Sequence, residues 1–319
     1  MKKGLSALII VGAVLLTAGG ALFAVAAANN MLSTDGSLVT KEYEFDGTFT
    51  KLNIAIDIAD LEFKKSNDTN CQVICHEKEK MFHEVKVEDQ TLSIQAKDTS
   101  EWYEHIFNFT NGMKVTVYLP LDVYSDVKIA SSTGDITCYE GFTFTELNAS
   151  ASTGDIKLEN VKSNNANIST STGHQNYKGV KVNNQFLLVA STGDVSLENC
   201  EVGGLLKVNT STGHITANGV RCTNASFEAS TGKVKLDDFV AVSELSIKTS
   251  TGDVTFKNID ADTIKIKTNT GNVKGNILTD KHFVVSTDTG KTNYPKYSTG
   301  SLCEITTDTG DIDITVGAN

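Results

Sequence analysis

From residue 125 onward, apolar and polar positions alternate in short runs, and the runs return in a fixed frame around a Ser/Asn/Asp-Thr-Gly triplet. Its glycines are Gly134, Gly154, Gly173, Gly193, Gly213, Gly232, Gly252, Gly271, Gly290 and Gly310, at intervals of 19 or 20 residues. Five residues before each stands Ile129, Ala149, Ile168, Leu188, Val208, Phe227, Ile247, Ile266, Val285 or Ile305. Seven before, from Val127 to Cys303, the residue is again always apolar. A period of two marks a strand with one buried face. After the glycine a second strand follows, with Ile or Val at most second positions and an apolar residue at most fourth positions.

A chain of β-hairpins would carry that inward face on to the sixth and eighth positions. Instead the sixth is polar in Asn160, Asn199, Asp238 and Asn258, and the seventh is apolar in Val161, Val220, Phe239 and Ile259. The parity therefore breaks twice per period, which predicts two corners and a coil that returns above its own start. A fixed period of this size is the mark of a solenoid. The predicted fold is all-β, a right-handed parallel β-helix of about ten coils, the hand following from crossover chirality. At ~4.8 Å per coil the rod would be about 45–50 Å long. The threonine before each glycine, Thr133 to Thr309, is expected to pack its methyl and bond its hydroxyl along the stack. The out-of-frame Ser298-Thr299-Gly300 is taken as coincidence.

The chain divides into three parts: residues 1–33, 34–124 and 125–319. In the first, Lys2 and Lys3 precede an uncharged stretch whose apolar part runs from Leu5 to Ala28. That is about the length of a membrane-spanning helix and longer than a signal-peptide core, so a retained anchor is expected over cleavage near Ala24–Ala28. Either way the remainder is expected outside the cytoplasm, as a single-pass surface protein or, after cleavage, a secreted one. The middle part is a β-rich lead-in, in which Ile54 to Phe63 reads as a degenerate coil without its glycine. Residues 76–88 and the aromatic segment 102–109 read as insertions, and the lead-in should cover one end of the solenoid.

Composition narrows the partners. Lys and Arg number 28 against 39 Asp and Glu, a net charge of −11, which leaves no basic face for nucleic acid. The residue after each glycine is Asp, His, Lys or Asn, and Asp135 and Asp155 on adjacent coils are the candidate ligands for calcium. A solvated corner favouring Asp is the simpler reading, so no metal or cofactor is expected. Cys71 and Cys75, with His76 and His83, do not form a convergent metal set on a strand, where His76 faces away. Cys138, Cys200 and Cys303 fall on inward positions, and Cys200 with Cys222 is the disulfide considered. Trp102, Tyr103 and Phe107, in the dense aromatic segment, are candidate ligand contacts, weighed against packing as a lid.

The anchor, the lead-in ending in Val117-Tyr118-Leu119-Pro120 and the reiterated Ser-Thr-Gly-Asp-Ile/Val units resemble the bacterial putative adhesin family with β-strand repeats, a domain of unknown function. The resemblance covers residues 39–319 and implies a cell-surface β-solenoid, with some relatives tied to envelope stress and antimicrobial-peptide responses. It supplies no catalytic residues. The expected function is a non-catalytic, adhesin-like binding or scaffold module for a cell-wall polymer or surface protein, with self-association through the C-terminal coil. The alternatives are an envelope-stress sensor with a membrane-protein partner and a polysaccharide lyase or hydrolase, the latter disfavoured because the acids repeat with the corner and do not cluster.

Overall fold

The computed structural model describes residues 37–100, 112–139, 141–296 and 299–317, and its named elements are 27 strands, from β1 (Val39–Asp46) to β27 (Ile312–Val316). The expected anchor, residues 1–33, and Trp102, Tyr103 and Phe107 lie outside the described residues. Among those described, no helix is long and apolar enough to cross a membrane.

One repeat shows the scheme. The long strand β14 (Lys181–Thr192) runs into Gly193, the short strand β15 (Val195–Glu198) follows, and Asn199 turns the chain into the next long strand, β16 (Glu201–Thr212). Long arms of successive coils pair in parallel within a 13-stranded sheet, and short arms pair within a 14-stranded sheet. Between the sheets the alternating side chains form ladders, with Leu188 registered against Ile168 and Val208 and Phe186 against Ala166 and Leu206. In this coil Val182, Phe186, Leu188, Val195, Leu197 and Cys200 are all buried. Burial of each such aliphatic or aromatic side chain is worth roughly 1.5–3 kcal/mol before chain entropy is counted.

Each corner has its own backbone requirement. At the first, Gly193 adopts φ 146°, and a Cβ there would lie 2.0 Å from the carbonyl oxygen of Gly173. The same close approach repeats from Gly154 to Gly310, so the glycine period there is steric in origin. At the second, Asn160, Asn199, Asp238 and Asn258 sit at φ between 48° and 55°, the left-handed region open to Asn, Asp and Gly. Gly179 and Gly219 fill the same slot one coil above an asparagine, whose Oδ1 lies 2.6 and 2.5 Å from where their Cβ would be. The polar sixth position is thus the second corner that the parity break predicts.

The threonine ladder is displaced from its expected position. The threonines immediately before the glycines, such as Thr153, Thr172 and Thr192, are exposed. The hydroxyl bonds come from the residue three before the glycine, where Thr210, Thr249 and Thr268 donate to the carbonyls of Gly193, Gly232 and Gly252, one coil below. This position faces inward at a tight corner, which admits only Ala, Ser or Thr, and a buried hydroxyl needs a partner.

At both ends the coils stack out of chain order. The degenerate coil is real: β2 (Lys51–Ile56) and β3 (Asp60–Lys65) pair in parallel with β8 (Val123–Ser131) and β9 (Ile136–Cys138), with Ala59 in the glycine slot. Beyond it lies a coil that comes later in the chain, β6 (Thr91–Asp98) and β7 (Lys114–Leu119), covered in turn by the antiparallel strands β5 (Met81–Glu88), β4 (Asn70–Glu77) and β1. At the other end, β22 (Thr263–Thr270) pairs with β26 (Ser301–Thr309), and β26 with β24 (Lys281–Thr289). The short arms agree: β23 (Val273–Ile277) pairs with β27, and β27 with β25 (Thr292–Asn293). The last coil in sequence is therefore inserted, and the penultimate one forms the open edge. This corrects the expectation that the C-terminal coil ends the rod. Lys281 holds the arrangement: its buried ammonium reaches across Ser301 (3.1 Å) to Asp260 (2.9 Å) and the carbonyl of Ala261 (2.7 Å).

Candidate functional site

The residue after the first-corner glycine is an acceptor for the coil above it. Asp60 Oδ1 accepts from the N–H of Asp135 (2.9 Å), Asp135 from Asp155 (2.8 Å) and Asp155 from His174 (2.8 Å). His174 Nδ1 then accepts from Asp194 and Asp194 from His214, after which His214 Nδ1 accepts from Lys233. The series resumes from Asp253 through Asn272 and Asp311 to Lys291. Asp, Asn and neutral His share the one property the slot requires. Lysine, which cannot accept, stands at Lys233, where the series breaks, and at Lys291, on the outermost coil. Asp135 and Asp155 lie on adjacent coils, with Lys157 Nζ 3.5 and 3.2 Å from their outer oxygens. Burial raises the Asp155 carboxyl, but the His174 N–H and the Lys157 ammonium outweigh this and hold it below its ordinary value.

The long-arm sheet turns its other face to solvent. Rows two and four residues before the glycine line a shallow groove of about 550 Å³, with Ser191, Ser211, Ser230, Ser250 and Asn269 in one row and Val189, Asn209, Glu228, Lys248 and Lys267 in the next. A second groove of about 290 Å³ lies on the same face nearer the lead-in, lined by Asn53, Lys128, Asn148, Asn167, Ser150 and Ser169. Charges in the first groove face each other, Lys248 Nζ lying 3.8 Å from Glu228 Oε1. The surface therefore presents hydroxyl and amide groups at the coil spacing with little net charge. The exposure of these rows follows from the inward parity of their neighbours.

All six cysteines are buried and none forms a disulfide. Strand register sets Cys222 opposite Val202, two residues beyond Cys200, which rules out that pairing here. Burial pushes the thiols of Cys71, Cys75, Cys222 and Cys303 up to about 12 and that of Cys200 to about 11, and Cys71, Cys200, Cys222 and Cys303 act as small apolar groups. His76 is turned outward against Thr40, as its parity requires. Glu77, not among the candidates read from the sequence, shares the inward face of Cys71, Val73 and Cys75. Its Oε1 meets Lys41 Nζ at 2.8 Å, and its Oε2 accepts from the N–H of His83 at 2.7 Å.

Several solved structures resemble the chain. A putative lipid binding protein from Parabacteroides distasonis ATCC 8503 superposes with a TM-score of 0.52 at 20% identity, over 77% of this chain and 98% of that one. A putative adhesin from Bacteroides fragilis NCTC 9343 gives 0.41 at 15% identity, over 87% and 97%. Another, from Parabacteroides merdae ATCC 43184, gives 0.33 at 14%, over 89% and 97%. At 20% identity the first of these likenesses is one of fold alone. No curated protein matches the chain significantly. The Toastrack DUF4097 family profile matches residues 49–238 and again 226–317. The glycine-cornered coils and their degenerate first member are thus those of a recognised domain, and the chain belongs to the Toastrack DUF4097 family.

Proposed function

We propose that this chain is a non-catalytic binding rod, held at the outer face of a bacterial membrane by residues 1–33, that seats an extended, uncharged polymer of the cell wall lengthwise on its long-arm sheet. The observation that carries the reading is the pair of grooves on one face, floored by small residues and edged by Ser and Asn. A polymer lying along the rod meets a similar hydroxyl and amide set every ~4.8 Å. Many weak, repeated contacts then add through effective concentration. The hydroxyl and amide rows outnumber the charges and suit the hydroxyls of a glycan. The repeated polar rows suit binding, whereas catalysis needs a singular cluster of groups with matched acidities.

The test is co-sedimentation of the full chain, in mild detergent, with purified cell wall. Saturable binding that survives moderate salt, and that Ser211→Trp with Ser230→Trp reduces at least tenfold while the β-sheet spectrum is unchanged, is the expected result. Absence of binding to wall glycan overturns the reading.

A further inference from the structure

We propose that Cys75, Glu77 and His83 form a binding site for a zinc-like divalent cation. Cys75 and Glu77 are two apart on β4 and so share its inward face, and the turn into β5 returns the chain so that His83 meets them. One donor atom from each lies within 4.8 Å of the others, and all three residues are buried, at 0, 0 and 2% exposure. Glu77 Oε2 and His83 Nδ1 are 3.0 Å apart, a separation open to two ligands each ~2.0–2.2 Å from one ion. A sulfur, a nitrogen and an oxygen form a borderline-soft set, suited to zinc and unlike the all-oxygen shells of calcium or magnesium.

The ion pair with Lys41 accounts for the buried carboxylate but not for a sulfur donor at the third apex. Charge shows how an ion enters. Zinc brings two positive charges and displaces two: the Lys41 ammonium, on the outermost strand and 40% exposed, swings to solvent, and the Cys75 sulfur gives its proton to solvent as it bonds the metal. The product, a dication with one carboxylate, one thiolate and one neutral imidazole, is uncharged, which a buried site requires. A cavity of about 260 Å³, lined by His83, Met81 and Ser132, touches the cluster at His83; the fourth position of a four-coordinate ion would fall to water.

The test uses the full chain, reduced and stripped of metal, titrated with Zn²⁺ against a chromogenic chelator and with Co²⁺ as a spectroscopic substitute. One ion per chain and a thiolate-to-cobalt absorption band are expected. Cys75→Val, of similar size and apolar, should bind at least tenfold more weakly with its β-sheet spectrum intact, and Lys41→Met, which removes the competing cation, should bind more tightly. If Cys75→Val does not fold, Cys75→Ser should lose the absorption band. Absence of the band in the natural chain, equal binding by Cys75→Val, persistence of the band in Cys75→Ser or weaker binding by Lys41→Met overturns the proposal.

Discussion

Asn272 Oδ1 accepts the backbone N–H of Asp311 at 2.9 Å, while Lys291, which lies between them in sequence, donates its own N–H to Asp311 Oδ1 at 2.8 Å. The side-chain ladder thus records the same exchange of coils as the strand pairing. Outward residues give a direct check, since Thr306 is registered between Lys267 and Ser286. The double variant Lys267→Cys with Thr306→Cys places its Cα atoms one strand spacing apart, ~4.8 Å, within disulfide reach. Lys267→Cys with Ser286→Cys places them two spacings apart, ~9.6 Å, beyond it. Mild oxidation should cross-link the first pair and leave the second reduced; the reverse would mean that the coils stack in chain order.

The break in the acceptor series is repairable. Among the described residues, no side chain of the coil below accepts from the N–H of Asp253, because Lys233 occupies the slot. Lys233→Asn should supply the missing hydrogen bond, worth about 0.5–1.5 kcal/mol, against loss of an exposed ion pair with Asp253 worth about 0–1 kcal/mol. A small net rise in stability is expected from denaturant unfolding. Lys291→Asn, on the outermost coil of the described residues, should change stability by no more than about 0.5 kcal/mol.

At Gly193 the first corner leaves no room for a side chain. Gly193→Ala combines an unfavourable φ with a backbone contact that no rotamer can relieve, and should cost about 3 kcal/mol or more in chemical denaturation. Gly317 shares a positive φ, 110°, but a Cβ there meets nothing within 4 Å. Gly317→Ala should therefore cost clearly less, and the difference measures the close approach between coils.

Acid should loosen the aspartate corners in a predictable direction. The Asn272 N–H, aided by Lys233, holds the Asp253 carboxyl below its ordinary value, against the opposing effect of burial. A group lowered on folding contributes stability that is complete above its unfolded pKa, about 3.9, and that is lost as pH falls through the folded value. Melting temperature should fall more steeply below about pH 4 in the natural chain than in Asp253→Asn, which keeps an acceptor for Asn272 but cannot be protonated. Parallel acid limbs would show that this carboxylate carries no such linkage.

The middle of the rod is legible in sequence because each coil states its two corners explicitly. The glycine marks the close approach, and Asn160 or Asn199 marks the left-handed residue that restores parity. The exchanged ends are not legible, since Phe283 and Val285 fit the inward slots as well as Cys303 and Ile305 do. The choice between them depends on Lys281 reaching Asp260 across an intervening strand, a relation between three coils that alternation along one cannot express. The buried Glu77 escapes notice for a similar reason. Its parity places it inward, but the partner that makes burial tolerable, Lys41, comes from a strand 36 residues earlier.

The interleaved ends bear on how such a rod can change in length. Between Gly154 and Gly252 each coil pairs only with its chain neighbours, so duplicating or deleting one whole period alters the rod by ~4.8 Å and leaves every other interface as it was. An extra period placed after Ile277 would instead have to part β22 from β26 or detach Lys281 from Asp260. Variation in repeat number among related chains should accordingly fall in the interior, with both termini acting as fixed fittings on a shaft of adjustable length.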